Sequence, residues 1–134
     1  MTIEEKGTAF HKKGYNCSQS VLCALGEYTK LPEETAIRLG AGFSGGMQCG
    51  SVCGAVSGGM MAVGCACLDG AVSVEEKTLG AKLTRKLQAE FRAEFGTLMC
   101  AEIIKENGHA VCDRCIAVAA AAAERIIRDY KDLV

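Results

Sequence analysis

The segment from Leu39 to Leu68 has thirty consecutive residues without a charged side chain, in a chain of which 23% of the residues are charged. Such a segment is either a buried central helix with its entry loop or a membrane span. Glycine and serine dilute its hydrophobicity below that of a convincing span, and no cluster of Lys or Arg orients it in a bilayer. The sequence therefore predicts a buried, glycine-rich central helix and no membrane insertion.

The rest of the chain carries helix signals throughout. Leucine and phenylalanine recur every four residues over 79–95, which predicts a long core helix. Residues able to cap a helix start precede the other apolar-periodic stretches: Thr2, Asn16, Ser51, Ser73, Thr97 and Asp113. At 134 residues the chain has the size of one domain. We predict a single all-α domain over residues 1–134, a compact bundle of six or seven helices around the central glycine-rich helix.

The net charge and the cysteine content limit the classes of function that this chain can have. A net charge of -1 gives no electrostatic basis for binding nucleic acid. The first residues, Met1 to Asn16, are polar and unlike an export signal, so we expect a cytoplasmic protein. Nine cysteines are then unusual, because a reducing compartment disfavours a disulfide framework and an odd number cannot pair completely within one chain. This composition indicates metal or redox chemistry.

Four cysteines fall on the apolar face in the first turn of an expected helix: Cys17, Cys53, Cys100 and Cys115. The partial positive charge of a helix N-terminus stabilises a thiolate and can lower a cysteine pKa from about 8.5 to as little as about 3.5. If the four helix starts converge, their thiolates would suit an iron-sulfur cluster or a tetrahedral zinc ion. If only two of the thiols approach closely, they would form a reversible disulfide instead.

Other residues are candidates for the same site. Cys112 and Cys115 form a CxxC motif, but no alternating strand and helix pattern surrounds it, and no histidine follows it as c-type haem attachment requires. Cys112 and Cys49 are substitutes for one of the four ligands. We expect His11 and His109 to be surface or capping residues rather than ligands.

Short motifs spread over nearly the whole chain carry a family resemblance. They are Asn16 to Val21 (NCSQSV), Gly42 to Met47 (GFSGGM), Cys53 to Gly58 (CGAVSG), Phe95-Gly96 with Cys100, and Cys115 with Val118. Together they resemble the C_GCAxxG_C_C family of redox-active proteins, and the CGAxxG core with its spaced outer cysteines is fairly specific. The resemblance implies that the four characteristic cysteines of the family correspond to Cys17, Cys53, Cys100 and Cys115.

The resemblance has further implications for cofactors and partners. Family members often belong to transporter-associated loci, which implies an association with a transporter. The domain also resembles part of the split-Soret cytochromes, in which an iron-sulfur site accompanies c-type haem, but without a CxxCH motif no c-type haem is expected here. This chain departs from the family in its additional cysteines, Cys23, Cys49, Cys65, Cys67 and Cys112, and Cys112 competes with Cys115 for the last position.

Three hypotheses follow. In the first, Cys17, Cys53, Cys100 and Cys115 hold an iron-sulfur cluster or another thiolate-bound metal for electron transfer to an unidentified partner. In the second, the protein is a metal-free thiol oxidoreductase in which Cys53 attacks and Cys17 or Cys115 resolves. In the third, it is a transport-linked metal-binding or sensing module without turnover. The sequence leaves open whether the protein is an enzyme or an electron carrier, and the small-residue surface of the central helix suggests a homodimer.

Overall fold

The computed structural model describes residues 1–133, which form helices joined by short loops. The helices are α1 (Ile3–Lys12), α2 (Cys17–Ala24), α3 (Gly26–Thr29), α4 (Glu33–Gly40), α5 (Gly54–Cys67), α6 (Val74–Phe95), α7 (Cys100–Asn107) and α8 (Cys112–Leu133). A tight turn (Gly46–Gly50), with left-handed backbone at Met47 and Gln48, precedes α5, and a 3-10 turn (His109–Val111) precedes α8. Over these residues the only β pairing is an isolated bridge between Val52 and Met99. The predicted all-α fold is confirmed.

The glycine-rich helix α5 lies at the centre of the fold, packed against α2, α6 and α8. Residues 54–59 of this helix are all buried. At Gly58 the two backbones of α5 and α2 pass so closely that an added Cβ would lie 2.6 Å from the Ser18 carbonyl oxygen. The glycines therefore permit a close helix contact. In residues 1–133, no helix combines the length and the apolar character needed to cross a bilayer.

The helices α6 and α8 complete the core around α5. Leu83, Leu87 and Phe91 of α6 are buried at the predicted spacing of four residues. In the alanine run 119–123 of α8, every residue except Ala121 is buried. Small side chains on α8 allow it to pack against α1, α5 and α6 along its length. Together with the buried Val21 and Leu22 of α2 and Ile116 and Ile127 of α8, these side chains build the core around α5.

Three of the predicted helix caps are confirmed. The Thr2 hydroxyl accepts the Glu5 N–H while the Glu5 carboxylate accepts the Thr2 N–H, which is a complete capping box. Asn16 and Gln19 form the same reciprocal pair at the start of α2. Ser73 caps α6 by accepting the N–H of Glu76. These caps were readable because each cap and its partner are three residues apart in the sequence.

The predicted caps at Ser51 and Thr97 are wrong. The N-cap position of α5 is occupied by Cys53 and that of α7 by Met99. The Ser51 carbonyl instead accepts the N–H of Cys100 at 2.7 Å, and the Thr97 hydroxyl accepts the N–H of Met99. Both segments are extended because they pair with each other through the isolated bridge. This contact between distant residues delays the start of both helices.

The predicted cap at Asp113 is also wrong. The 3-10 turn His109–Val111 leads directly into α8, which begins at Cys112, so Asp113 lies inside the first turn. Its carboxylate accepts a hydrogen bond from the ring of His11 on α1 at 2.7 Å. The side chain of Asp113 therefore joins two helices rather than capping one.

Candidate functional site

A cavity of about 380 Å³ lies where the N-terminal ends of α2, α5, α7 and α8 meet. Five thiols line it, which we call the cavity thiols: Cys17, Cys53, Cys100, Cys112 and Cys115. The structure thus brings together the four cysteines selected from the sequence and adds the first cysteine of the CxxC motif. The apolar part of the cavity wall includes Ile103, Ile104 and Val111.

The start of α2 places Cys17 at the cavity. The capping box of Asn16 fixes this helix end, and the Asn16 amide also donates a hydrogen bond to the Gly40 carbonyl at 3.2 Å. Burial, followed by the neighbouring Cys53 sulfur, raises the pKa of Cys17 to about 11. Cys17 is therefore a protonated thiol at neutral pH.

The isolated bridge joins the segments that lead into Cys53 and Cys100. The Cys53 N–H donates to the Leu98 carbonyl at 2.8 Å, and the Cys100 N–H donates to the Ser51 carbonyl at 2.7 Å. Because each segment leads directly into a helix, the bridge ties the start of α5 to the segment before α7, and the start of α7 to the segment before α5. Burial, and then the charge of Cys53, raises the pKa of the Cys100 thiol.

Cys53 is the cavity thiol that ionises most easily. It stands at the N-cap position of α5 and is 6% exposed. A hydrogen bond from the Cys115 thiol is the main cause that lowers its pKa to about 7, against the opposing effect of burial. The backbone N–H groups of Ala55 and Val56 also stabilise the thiolate. Of the cavity thiols, Cys53 is therefore the one whose pKa is moved toward neutral pH.

Cys115 is the partner of Cys53 and is 2% exposed. Its hydrogen bond to the Cys53 sulfur, followed by burial, raises its pKa well above the usual range. Burial and the Cys53 charge also raise the pKa of Cys112. The expectation that each selected helix start favours a thiolate is thus wrong for Cys17, Cys100 and Cys115, because burial and nearby like charge outweigh the helix dipole.

The other cysteines lie outside this cavity. Cys49 is exposed in the turn Gly46–Gly50, where its thiol donates to the Gly46 carbonyl at 3.5 Å, and it is not among the residues that line the cavity. Cys65 and Cys67 lie near the other end of α5, about 18 Å or more along the helix from Cys53. Cys23 lines a separate surface depression with Met1 and residues of α1. Of the two substitute ligands predicted from the sequence, Cys112 lines this cavity and Cys49 does not.

Both histidines are at the surface, as expected, yet both also line the cavity. His11 lies in the last turn of α1, where its Nδ1 is 2.7 Å from Oδ1 of Asp113. His109 begins the 3-10 turn before α8. Sequence reasoning missed this placement because His11 and Asp113 are 102 residues apart and only the packing of α1 against α8 brings them together.

A single metal ion requires several ligand atoms close to one point. A tetrahedral zinc ion needs four donors about 2.0 to 2.3 Å from one point. Within residues 1–133 no three or more His, Cys, Asp or Glu side chains are grouped so that they could hold a metal ion. The cavity thiols surround a space instead of converging on one point, and the iron-sulfur and zinc sites stay predictions.

A family model described as "Putative redox-active protein (C_GCAxxG_C_C)" matches residues 15–126, which is most of the chain. The chain belongs to this family. A search of curated proteins and a search of solved structures each gave no match. The C_GCAxxG_C_C match begins just before α2 and ends within α8, so it includes all the cavity thiols.

The glycines of the C_GCAxxG_C_C core have a structural role beside its cysteine. A Cβ at Gly54 would collide with the Cys17 sulfur and would lie 2.8 Å from the Phe43 carbonyl oxygen. Gly58, one turn later, lets the α2 backbone approach at Ser18. The core motif therefore sets the spacing between α2 and α5, and with it the position of Cys17 relative to Cys53.

Proposed function

We propose that the cavity is a thiol-disulfide redox site in which Cys53 is the attacking thiolate and Cys115 is the resolving thiol. The observation that carries this proposal is that two buried thiols from separate helix starts line one cavity, where Cys115 is the main cause of the lowered pKa of Cys53. Thiol-disulfide exchange requires a thiolate, and a pKa near the ambient pH is the optimum for the attacking thiol. The redox-active description of the family supports the same chemistry.

The reaction with a disulfide substrate has two steps. The Cys53 thiolate attacks one substrate sulfur, so that a mixed disulfide forms and half of the substrate leaves as a thiolate that takes a proton from solvent. Cys115 then loses its proton and attacks the Cys53 sulfur, which forms the Cys53–Cys115 disulfide and releases the second half as a thiol. Two protein thiols are oxidised by two electrons, and one substrate disulfide is reduced to two thiols.

The burial of both sulfurs supports a small-molecule substrate. Cys53 is 6% exposed and Cys115 is 2% exposed, so a disulfide must enter the cavity to reach them. The volume of about 380 Å³ lies within the range of small-molecule sites, roughly 300 to 1,000 Å³. A folded partner protein is too large to enter this space. We therefore assign Cys53 a low-molecular-weight disulfide rather than a protein disulfide.

The experiment treats the reduced, metal-free protein with dipyridyl disulfide and maps the products by peptide mass spectrometry. We expect a Cys53–Cys115 disulfide in the wild-type protein. Cys53→Ser should abolish this product, and Cys115→Ser should stop the reaction at a mixed disulfide on Cys53. Cys65→Ser is the matched control, because this thiol is exposed near the opposite end of α5. Wild-type protein that forms no Cys53–Cys115 disulfide would contradict the proposal.

A second candidate function is an iron-sulfur centre. The supporting observation is that the four family cysteines come from four separate helix starts around one cavity. A cluster is larger than one ion, and its Cys ligands are distributed around it. Cys17, Cys53, Cys100 and Cys115, with Cys112 as a substitute, would hold the cluster, which would supply one-electron chemistry.

Anaerobic purification followed by visible absorption, metal and acid-labile sulfide analysis separates the candidates. Stoichiometric iron and sulfide would favour the cluster. One zinc per chain in a colourless protein would favour a structural or transport-linked sensing module. A colourless, metal-free protein that forms the Cys53–Cys115 disulfide would favour the dithiol site.

A further inference from the structure

The last turn of α1 brings an imidazole to the wall of the cavity. His11 lines the cavity, and its Nδ1 lies 2.7 Å from Oδ1 of Asp113 in the first turn of α8. A carboxylate oxygen accepts hydrogen bonds, so Nδ1 carries the hydrogen and, in the neutral ring, Nε2 is left as the proton acceptor. Two helices distant in the chain thus fix the tautomer of a ring beside the cavity thiols.

The second step of the proposed exchange needs such an acceptor. Cys115 is 2% exposed, and its hydrogen bond to Cys53 keeps it protonated in the reduced protein. Once Cys53 is bonded to a substrate sulfur, Cys115 must lose this proton before it can attack. A base that lines the cavity can take the proton without opening the core to bulk water.

We propose that His11 is the proton-transfer group of the cavity and that Asp113 positions it. The Nε2 atom of His11 takes the proton from Cys115, directly or through one water, as the new disulfide forms, and returns it to the departing thiolate. His11 is suited to this exchange because its side chain is 33% exposed and can also equilibrate with solvent. The inference rests on the dithiol function proposed above and adds a proton path to it.

The other titratable groups around the cavity do not offer the same arrangement. They are Tyr15, His109 and the cavity thiols. The Tyr15 hydroxyl donates to Glu33 at 3.0 Å, and this hydrogen bond is the main cause that raises the pKa of Tyr15, so this phenol stays protonated. His109 lines the same cavity from the 3-10 turn, but Asp113 pairs with His11. His109 is therefore a matched control for an imidazole at this cavity.

The test measures how fast the Cys53–Cys115 disulfide forms after rapid mixing of the reduced protein with dipyridyl disulfide, in samples quenched at successive times. We expect His11→Gln to slow this second step about 100-fold, at the low end of general acid-base contributions. The first step, formation of the mixed disulfide on Cys53, should keep its rate. The dependence of the second-step rate on pH should also differ between the wild type and His11→Gln, because a glutamine amide cannot take up the proton.

Two further variants make the result specific. Asp113→Asn keeps the size of the side chain but removes its charge, so we expect a slower second step with a shifted pH profile even if His11→Gln proves too unstable to fold. His109→Gln, which removes the other imidazole at this cavity, should slow the second step much less than His11→Gln. Equal second-step rates and profiles in wild type, His11→Gln and Asp113→Asn would overturn the role of His11. That outcome differs from failure of the dithiol function, in which the wild type itself forms no Cys53–Cys115 disulfide.

Discussion

The two ends of α5 hold cysteines in different surroundings. At the N-terminal end, Cys53 is buried, and the Cys115 thiol and two backbone N–H groups lower the pKa of its thiol against the effect of burial. Near the C-terminal end, the exposed Cys65 thiol donates to the Thr29 carbonyl at 3.5 Å, and burial raises the pKa of the half-buried Cys67. One helix therefore stabilises a thiolate at its N-terminal end, whereas burial near its C-terminal end favours the neutral thiol of Cys67.

A position at the start of a helix is not sufficient to lower the pKa of a thiol. Cys17 and Cys100 are also first residues of helices, yet burial raises the pKa of both. Cys53 differs because a side-chain donor, Cys115, reinforces the backbone N–H groups. The number of hydrogen bonds to the sulfur, set against its burial, decides which cavity thiol ionises.

The largest effect is expected from adding a methyl group at the N-terminal end of α5. Gly54→Ala would place its Cβ against the Cys17 sulfur and 2.8 Å from the backbone oxygen of Phe43, which cannot move without shifting its loop. We expect a loss of about 2 kcal/mol in the free energy of unfolding, measured with urea, as is typical of overpacking.

Gly64→Ala is the matched control in the same helix. No atom lies within 4 Å of a Cβ added there, so the substitution should be neutral or stabilise the protein by up to about 1 kcal/mol through helix propensity. Equal unfolding free energies for the two variants would contradict the claim that only the thiol end of α5 is closely packed against α2.

The second largest effect is expected when Cys115 is replaced, and it is a change in the pKa of Cys53. Cys115→Ala removes the main cause of its lowered pKa, so the pH at which Cys53 becomes reactive should rise. A thiolate forms above its pKa, and alkylation of Cys53 by iodoacetamide at pH 7 should therefore slow by about tenfold, equivalent to a rise of about one pH unit. Peptide mass spectrometry measures the rate site by site. Cys112→Ala is the control, because it leaves the Cys115 thiol in place. A similar slowing in this variant would contradict the role of Cys115 as the main cause of the lowered pKa of Cys53.

Local signals explain how much could be predicted from the sequence. The caps at Thr2 and Asn16, the four-residue spacing in α6 and the glycine-rich core helix depend on residues close in the chain, and the structure confirms them. The four selected cysteines were recognised from their places at helix starts and from the family resemblance, and they do line one cavity. Their shared function stays a prediction.

The remaining features depend on contacts that no local pattern encodes. The bridge between Val52 and Met99 joins segments 47 residues apart and moves the starts of α5 and α7 away from Ser51 and Thr97. The pairing of His11 with Asp113 likewise requires α1 to pack against α8. The pKa values of the thiols depend on burial and on each other, so helix position alone gave the wrong direction for three of the four.

The smallest expected effects distinguish a true cap from a serine that only resembles one, both near the thiol end. Asn16→Ala removes the acceptor of the Gln19 N–H and the donor to the Gly40 carbonyl, and should cost about 1 kcal/mol in urea unfolding. Ser51→Ala should change the unfolding free energy by less than about 0.5 kcal/mol, because Ser51 contributes backbone hydrogen bonds that alanine retains. If Ser51→Ala costs as much as Asn16→Ala, α5 depends on a serine cap after all, and the bridge is not what holds Cys53 at its N-terminus.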